Sequence, residues 1–194
     1  MRDIMRLMII LTTICALAAL SLAKVYEITK EPIANKLREE RIKALKAILP
    51  PFDNEPDKDA ESIALGSNQK NLILYRGYKE GKLTGTALKS IGKGFGGNIE
   101  VMVGIEPDGS IYGVEILDHK ETPGLGAKIG EAHFKNQFKG RSLFNTKWQV
   151  KKDGGDIDQI TGATISPRGI TKALKNALEL YTQYGLQRQK GNKE

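Results

Sequence analysis

The chain has 194 residues, with 30 lysines and arginines against 23 aspartates and glutamates, for a net charge of +7. That length holds one ordinary domain, and 40% hydrophobic with 27% charged residues is the balance of a folded domain carrying one apolar appendage, which excludes global disorder and a second full domain. A basic balance raises nucleic acid as a partner, but the lysines are scattered among acids with no basic cluster interleaved with aromatics. That is the pattern of a solvated surface, so no nucleic-acid partner is expected.

The first predicted element is a membrane helix. Leu7 to Ala23 carry no charge and rise ~25 Å as a helix; with Ile4 and Met5 the run can span a bilayer. Arg2 and Arg6 followed by Ala16-Leu17-Ala18 also fit a cleavable signal peptide. An uncleaved anchor over residues 1–25 is the favoured reading, because Lys24 to Leu49 continue the helical pattern with Pro32 as its only proline. Cys15, the single cysteine, lies inside the apolar run, which rules out an intrachain disulfide and a cysteine metal site. Two histidines, His119 and His133, are too few for a histidine metal site, so no metal is expected. Counting basic residues on the two flanks leaves the orientation open.

Residues 26–59 are expected as a juxtamembrane helix and linker. Pro50-Pro51 stops the helix, since proline offers no backbone donor and disfavours helix in the residue before it. The domain proper is expected over 60–186, followed by a polar tail at 187–194. Strand-like runs occupy Asn71 to Gly77, Lys82 to Ile91, Asn98 to Glu106 and Ser110 to Asp118. The last two form a hairpin, with Glu106-Pro107-Asp108-Gly109 as the turn between flanks rich in Val and Ile. Gly126 to Phe138 reads as helical. Pro167 to Tyr184 places Ile170, Ala173, Leu174, Ala177, Leu178, Tyr181 and Tyr184 on one helical face, which should pack across the sheet. Strands first and helices later predict an α+β domain with an antiparallel sheet and packed helices.

One segment carries chemistry: DQITGATISPRG, from Asp158 to Gly169. Ser166-Pro167 suits an N-cap and first turn for the closing helix. Gly162 and Ala163 keep the approach to that helix end free of bulk. A phosphate held there would meet unpaired N–H groups and the positive end of the helix dipole, with Arg168 for further compensation. Taken alone, such a loop also fits ordinary cap chemistry.

The spacing Asp158-x-x-Thr161-Gly162-Ala163-Thr164 resembles the D-x-x-[ST]-G-A-T pattern at which a flavin transferase esterifies FMN phosphate to the last threonine. It occurs in the G-type subunit of the Rnf ion-translocating electron transport complex, in the C-type subunit of the sodium-pumping NADH:quinone reductase, and in related FMN-binding domains. Roughly forty residues upstream, His119-Lys120-Glu121-Thr122-Pro123-Gly124-Leu125-Gly126 is similar to the H-x-E-T-P-G-L-G loop of the same families. The resemblance covers nearly the whole chain, and the length fits the Rnf protein better. Ile165-Ser166-Pro167 departs from the more variable polar residues expected there.

The resemblance implies a covalent FMN on Thr164, with Ser166 as fallback acceptor and Asp158 used mainly in recognition by the transferase. It assigns His119, Glu121, Thr122, Pro123, Gly124, Leu125 and Gly126 to the flavin pocket, with Thr161, Gly162, Ala163, Ser166 and Arg168 around the attachment point. It also implies a bacterial inner-membrane protein whose domain faces the periplasm, relaying electrons within an ion-translocating oxidoreductase. Its partners would be the other membrane subunits, membrane lipid and, during maturation, the transferase. No nucleophile–base pair, paired carboxylates or nicotinamide fingerprint is present, so no independent substrate turnover is expected. The rival readings are a non-redox scaffold module of a membrane complex, a C-type component of a sodium-pumping quinone reductase, and a protein that binds FMN without a covalent bond.

Overall fold

The computed structural model describes residues 1–64 and 71–185, so the tail expected at 187–194 lies outside the described residues. Helix α1 (Arg2–Ile48) is continuous, with Pro32 inside it. Contacts divide the chain into two units, Met1–Arg41 and Ile42–Glu194.

The first unit is helix alone. Among the described residues, α1 is the one helix long and apolar enough to cross a membrane. Its leucines, isoleucines and methionines from Ile4 to Leu22 are exposed around the circumference, as in a helix made for lipid rather than for one packed stripe. The hydroxyls in this stretch are satisfied locally. Thr12 donates to Met8 O, Thr13 to Ile9 O and Ser21 to Leu17 O, each at 2.8 Å. Such back-bonding is what an apolar solvent demands of a polar side chain.

The second unit is built on a five-stranded antiparallel meander in sequence order: β1 (Glu61–Ile63), β2 (Leu72–Lys79), β3 (Lys82–Lys93), β4 (Asn98–Ile105) and β5 (Ile111–Asp118). Turn chemistry explains the order. Glu80 and Gly81, both at positive φ (51° and 74°), form the two-residue turn between β2 and β3 that matches strand twist. The expected β4–β5 turn is present: Gly109 N–H donates to Glu106 O at 2.9 Å. Asp108 accepts from the Ser110 backbone N–H, which holds its carboxyl below the usual value.

Alternation gives the sheet two different faces. On the inner face Leu74, Leu88, Ile99, Val101, Val103 and Ile105 pack against α3 (Ile165–Leu180) and the short α2 (Ala132–Asn136). The residues expected to face the sheet are buried there from Ile170 to Leu178 along α3 and at Tyr181 just beyond it, while Tyr184 is only half-buried. Helix α3 starts two residues before the predicted Pro167. The helical run from Gly126 to Phe138 is broken into a 3₁₀ turn, Gly126–Gly130, and α2.

The outer face receives the segment that the sequence reads as helix end and linker. Ala44, Leu45, Ile48 and Leu49 bury with Tyr75, Ala87 and Met102. This contact is backbone-close because Gly104 lies beneath: a Cβ there would fall 1.8 Å from Ile48 O. Asn54 then closes the exposed edge of β2, its amide donating to Arg76 O (2.9 Å) while its carbonyl accepts from Tyr78 N–H (2.8 Å). Residues 42–59 are therefore part of the folded unit rather than a spacer to it.

Candidate functional site

At one end of the sheet, three loops meet around a cleft of about 260 Å³. Its lining comes from Phe95, from Glu121, Thr122, Leu125 and Gly126, and from the run Gly162 to Ser166. The two motifs are thus brought together, although the sequence separates them by some forty residues.

Each motif loop is a turn that needs its glycine. In the first, Leu125 N–H donates to Thr122 O at 3.2 Å, with Pro123 in the second position and Gly124 at φ +74° in the third. In the second, Ala163 N–H donates to Ile160 O at 3.0 Å, with Gly162 at φ +79° in the third position. Positive φ at that position is the requirement of a type II turn. The glycine also lets Leu125 Cδ2 come within 3.2 Å of where a Cβ would sit, so the two turns touch.

The third loop was not read from the sequence. Gly94 N–H donates to Gly97 O at 2.7 Å, which makes a tight β3–β4 connection with Phe95 at its tip. Phe95 is 74% exposed, and Leu125 and Ile165 beside it are 44% and 46% exposed. The signal for this loop was present in Gly94-Phe95-Gly96-Gly97, an aromatic held among glycines between two strands.

Helix α3 is seated over β3 by close backbone contact. A Cβ on Gly92 would lie 2.3 Å from Gly169 O, and one on Gly169 would lie 2.4 Å from Lys93 O. Ser90 Oγ also donates to Ala173 O at 2.8 Å. These contacts place the helix start beside the 94–97 loop.

Thr164, rather than the expected Ser166, is the N-cap residue. Its φ and ψ are −84° and −25°, and its side chain makes no capping hydrogen bond. The usual N-cap is extended, so Thr164 lacks the backbone conformation that goes with a capping hydroxyl. Ser166 sits inside the first turn, 1% exposed, and donates to Glu121 Oε2. Pro167 stands in the same turn, where a missing N–H costs nothing.

The remaining expected residues lie outside the cleft lining. Arg168 is engaged with Asp153, Nε to Oδ2 at 2.7 Å and Nη2 to Oδ1 at 2.6 Å. This pairing holds the Asp153 carboxyl below its ordinary value and raises Arg168. The guanidinium therefore faces an acid on a second 3₁₀ turn, Lys151–Asp153, not the helix start. Asp158 pairs with Lys151 at 2.6 Å, and Thr161 is exposed in its turn. His119 Nδ1 accepts from Glu121 N–H at 3.2 Å. Pro123 and Gly124 shape the turn without lining the cleft. No group of histidine, cysteine and acidic residues able to hold a metal is found among the described residues.

Chemically, the cleft offers apolar side chains for a planar ring, a threonine hydroxyl free of capping duty, and a helix start whose first N–H groups have no partner within the helix. Its volume is near the lower end of the ~300–1,000 Å³ usual for small-molecule sites, so an aromatic ligand with a phosphorylated tail keeps part of itself exposed.

The FMN-binding domain family matches residues 94–179, from the Gly94 loop to the last turn of α3. The G-type subunit of the ion-translocating oxidoreductase complex of Stutzerimonas stutzeri is 39% identical over 174 residues, covering 86% of this chain and 75% of the relative. Its counterpart in Aliivibrio fischeri is 37% identical over 179 residues, covering 86% and 85%. Among solved structures, the C-type subunit of the Na⁺-translocating NADH-quinone reductase from Parabacteroides distasonis superposes with a TM-score of 0.58 at 22% identity. It covers 76% of this chain and 93% of that one, and shows a shared fold. NqrC of Shewanella oneidensis gives a TM-score of 0.50 at 23% identity, covering 70% and 67%. With a relative this similar over three quarters of its length, and with both loop motifs on one cleft, the chain belongs to the G-type subunit family of ion-translocating oxidoreductase complexes.

Proposed function

We propose that this protein is a membrane-anchored electron carrier of an ion-translocating oxidoreductase complex, holding FMN as a phosphoester on Thr164. The observation that supports it most is the position of Thr164, which lines the cleft at the start of α3 with its hydroxyl unused by the cap. Ser166, the alternative acceptor, is buried with its hydroxyl engaged by Glu121. When bound, FMN supplies reversible electron acceptance and donation.

The residues divide the work. Phe95, Leu125 and Ile165 would cover the ring, and the first-turn N–H groups of α3 would face the phosphate. Arg168, already paired with Asp153, is not needed for that charge. In attachment, Thr164 Oγ would be the acceptor for the phosphoryl group of a phosphoanhydride-activated flavin nucleotide brought by the transferase, releasing its hydroxyl proton as the new ester bond replaces the anhydride bond and a nucleotide monophosphate departs. The apolar part of α1 would tether the domain to the bilayer with the cleft on the periplasmic side, and the other members of the complex would supply donor and acceptor.

The full chain, produced in cells with and without a flavin transferase, tests this by intact mass and in-gel fluorescence. The transferase should add one FMN ester to the wild type and none to Thr164→Val. An unmodified wild type, or a fluorescent Thr164→Val, defeats the reading.

A further inference from the structure

We infer that Glu121 is a positioning residue that fixes how Thr164 is presented, and not a ligand of the flavin. The inference rests on the reading of Thr164 as the attachment site.

Glu121 is 6% exposed, and both of its oxygens are engaged within the protein. Oε1 accepts from Gly96 N–H at 2.9 Å, and Oε2 accepts from the Ser166 hydroxyl. Two glycine α-carbons press on the same carboxylate. A Cβ on Gly94 would lie 2.3 Å from Oε1, and one on Gly126 would lie 2.6 Å from Oε2. One side chain thereby joins the 94–97 loop, its own loop and the first turn of α3, across sequence separations of 25 and 45 residues. Ser166 is two residues from Thr164 on that turn, so the carboxylate sets the threonine relative to Phe95 and Leu125. Removing it leaves the Gly96 N–H without its carboxylate partner and the buried Ser166 hydroxyl without an acceptor, which the loops relieve by moving apart.

The test follows the fraction of full-length chains carrying the FMN mass at intervals after the transferase is induced. Glu121→Ala and Ser166→Ala should each slow modification ~10-fold, the scale of one hydrogen bond to a charged group. The double variant should be no slower than Glu121→Ala alone, because losing the carboxylate already cuts the bond to Ser166 along with that to Gly96. Glu121→Gln keeps an acceptor for Gly96 and an amide that can donate to Ser166, so it should stay within ~3-fold of wild type. The visible absorption of the flavin on every modified variant should match wild type.

Modification of the alanine variants at the wild-type rate, or rate penalties that multiply, overturns the inference. So does a shifted flavin spectrum in Glu121→Gln, which indicates direct contact. Where Glu121→Ala does not fold, Ser166→Ala and Glu121→Gln carry the same decision. A wild type lacking FMN on Thr164 removes the parent reading and is seen separately.

Discussion

The two halves of α3 are held to the sheet by opposite means. The far half inserts bulk: Leu174 and Leu178, with Tyr181 just past the helix end, are buried among the inner-face residues of the strands. The near half inserts Ile170 but is set by backbone, laying Gly169 on Gly92 so closely that a Cβ on either would collide with backbone. Bulky side chains yield stability but tolerate small shifts, because apolar packing has no direction. Backbone contact yields little apolar area, yet it permits one separation only. The near half carries Thr164, and it is the half whose position is set most tightly.

Substitutions can break that division of labour or sharpen it. The largest loss of stability is expected in the far half: Leu178→Ala removes a fully packed side chain and should cost about 3 kcal/mol in denaturant unfolding. Below its unfolding midpoint the variant should still accept FMN at the wild-type rate, and a parallel fall in modification would erase the distinction. Next comes Gly169→Ala. Alanine gains ~1 kcal/mol of helix propensity, but the methyl meets Lys93 O, and overpacking of ~1–3 kcal/mol or more should leave the variant net destabilised. Its signature is a loss of FMN incorporation out of proportion to the change in unfolding midpoint. Ser90→Ala, which removes the bond to Ala173 O between the two halves, should cost about 1 kcal/mol and leave incorporation unchanged.

The smallest effect concerns pH. Hydrogen bonding from Arg168 lowers the Asp153 carboxyl pKa below 3.8. A depressed folded value stabilises fully above the ordinary value and is lost as pH falls through the depressed one. Asp153→Asn should therefore lower the melting temperature slightly at neutral pH and converge with wild type in acid. A gap that widens on acidification would contradict the pairing.

Much of this was readable beforehand. The strands β2 to β5 announced themselves as short runs between turn signals, Val- and Ile-rich in β4 and β5, and the buried face of α3 by its spacing. The motif loops were visible because a positive-φ glycine in a tight turn is a local requirement, written where it acts. Contacts between distant glycines were not visible. Gly104 under Ile48, or Gly92 under Gly169, is a property of two segments that only the fold introduces to each other. The three-residue β1 was too short to carry a pattern. Arg168 was read by its neighbours in sequence, and its partner, Asp153, lies across a turn. Ser166 was assigned to the cap by residue type, whereas burial against Glu121 decided its role.

The sheet is a meander whose partners are always consecutive, so it can zip up from local hairpins as it emerges. The cleft has no such freedom, because α3 must return across 83 residues of sequence to meet β3. A chain stopped before Ile165 would own a sheet and both turns but no helix start to complete the pocket. Loading of the cofactor would then report that synthesis and docking are finished, a quality check built into connectivity.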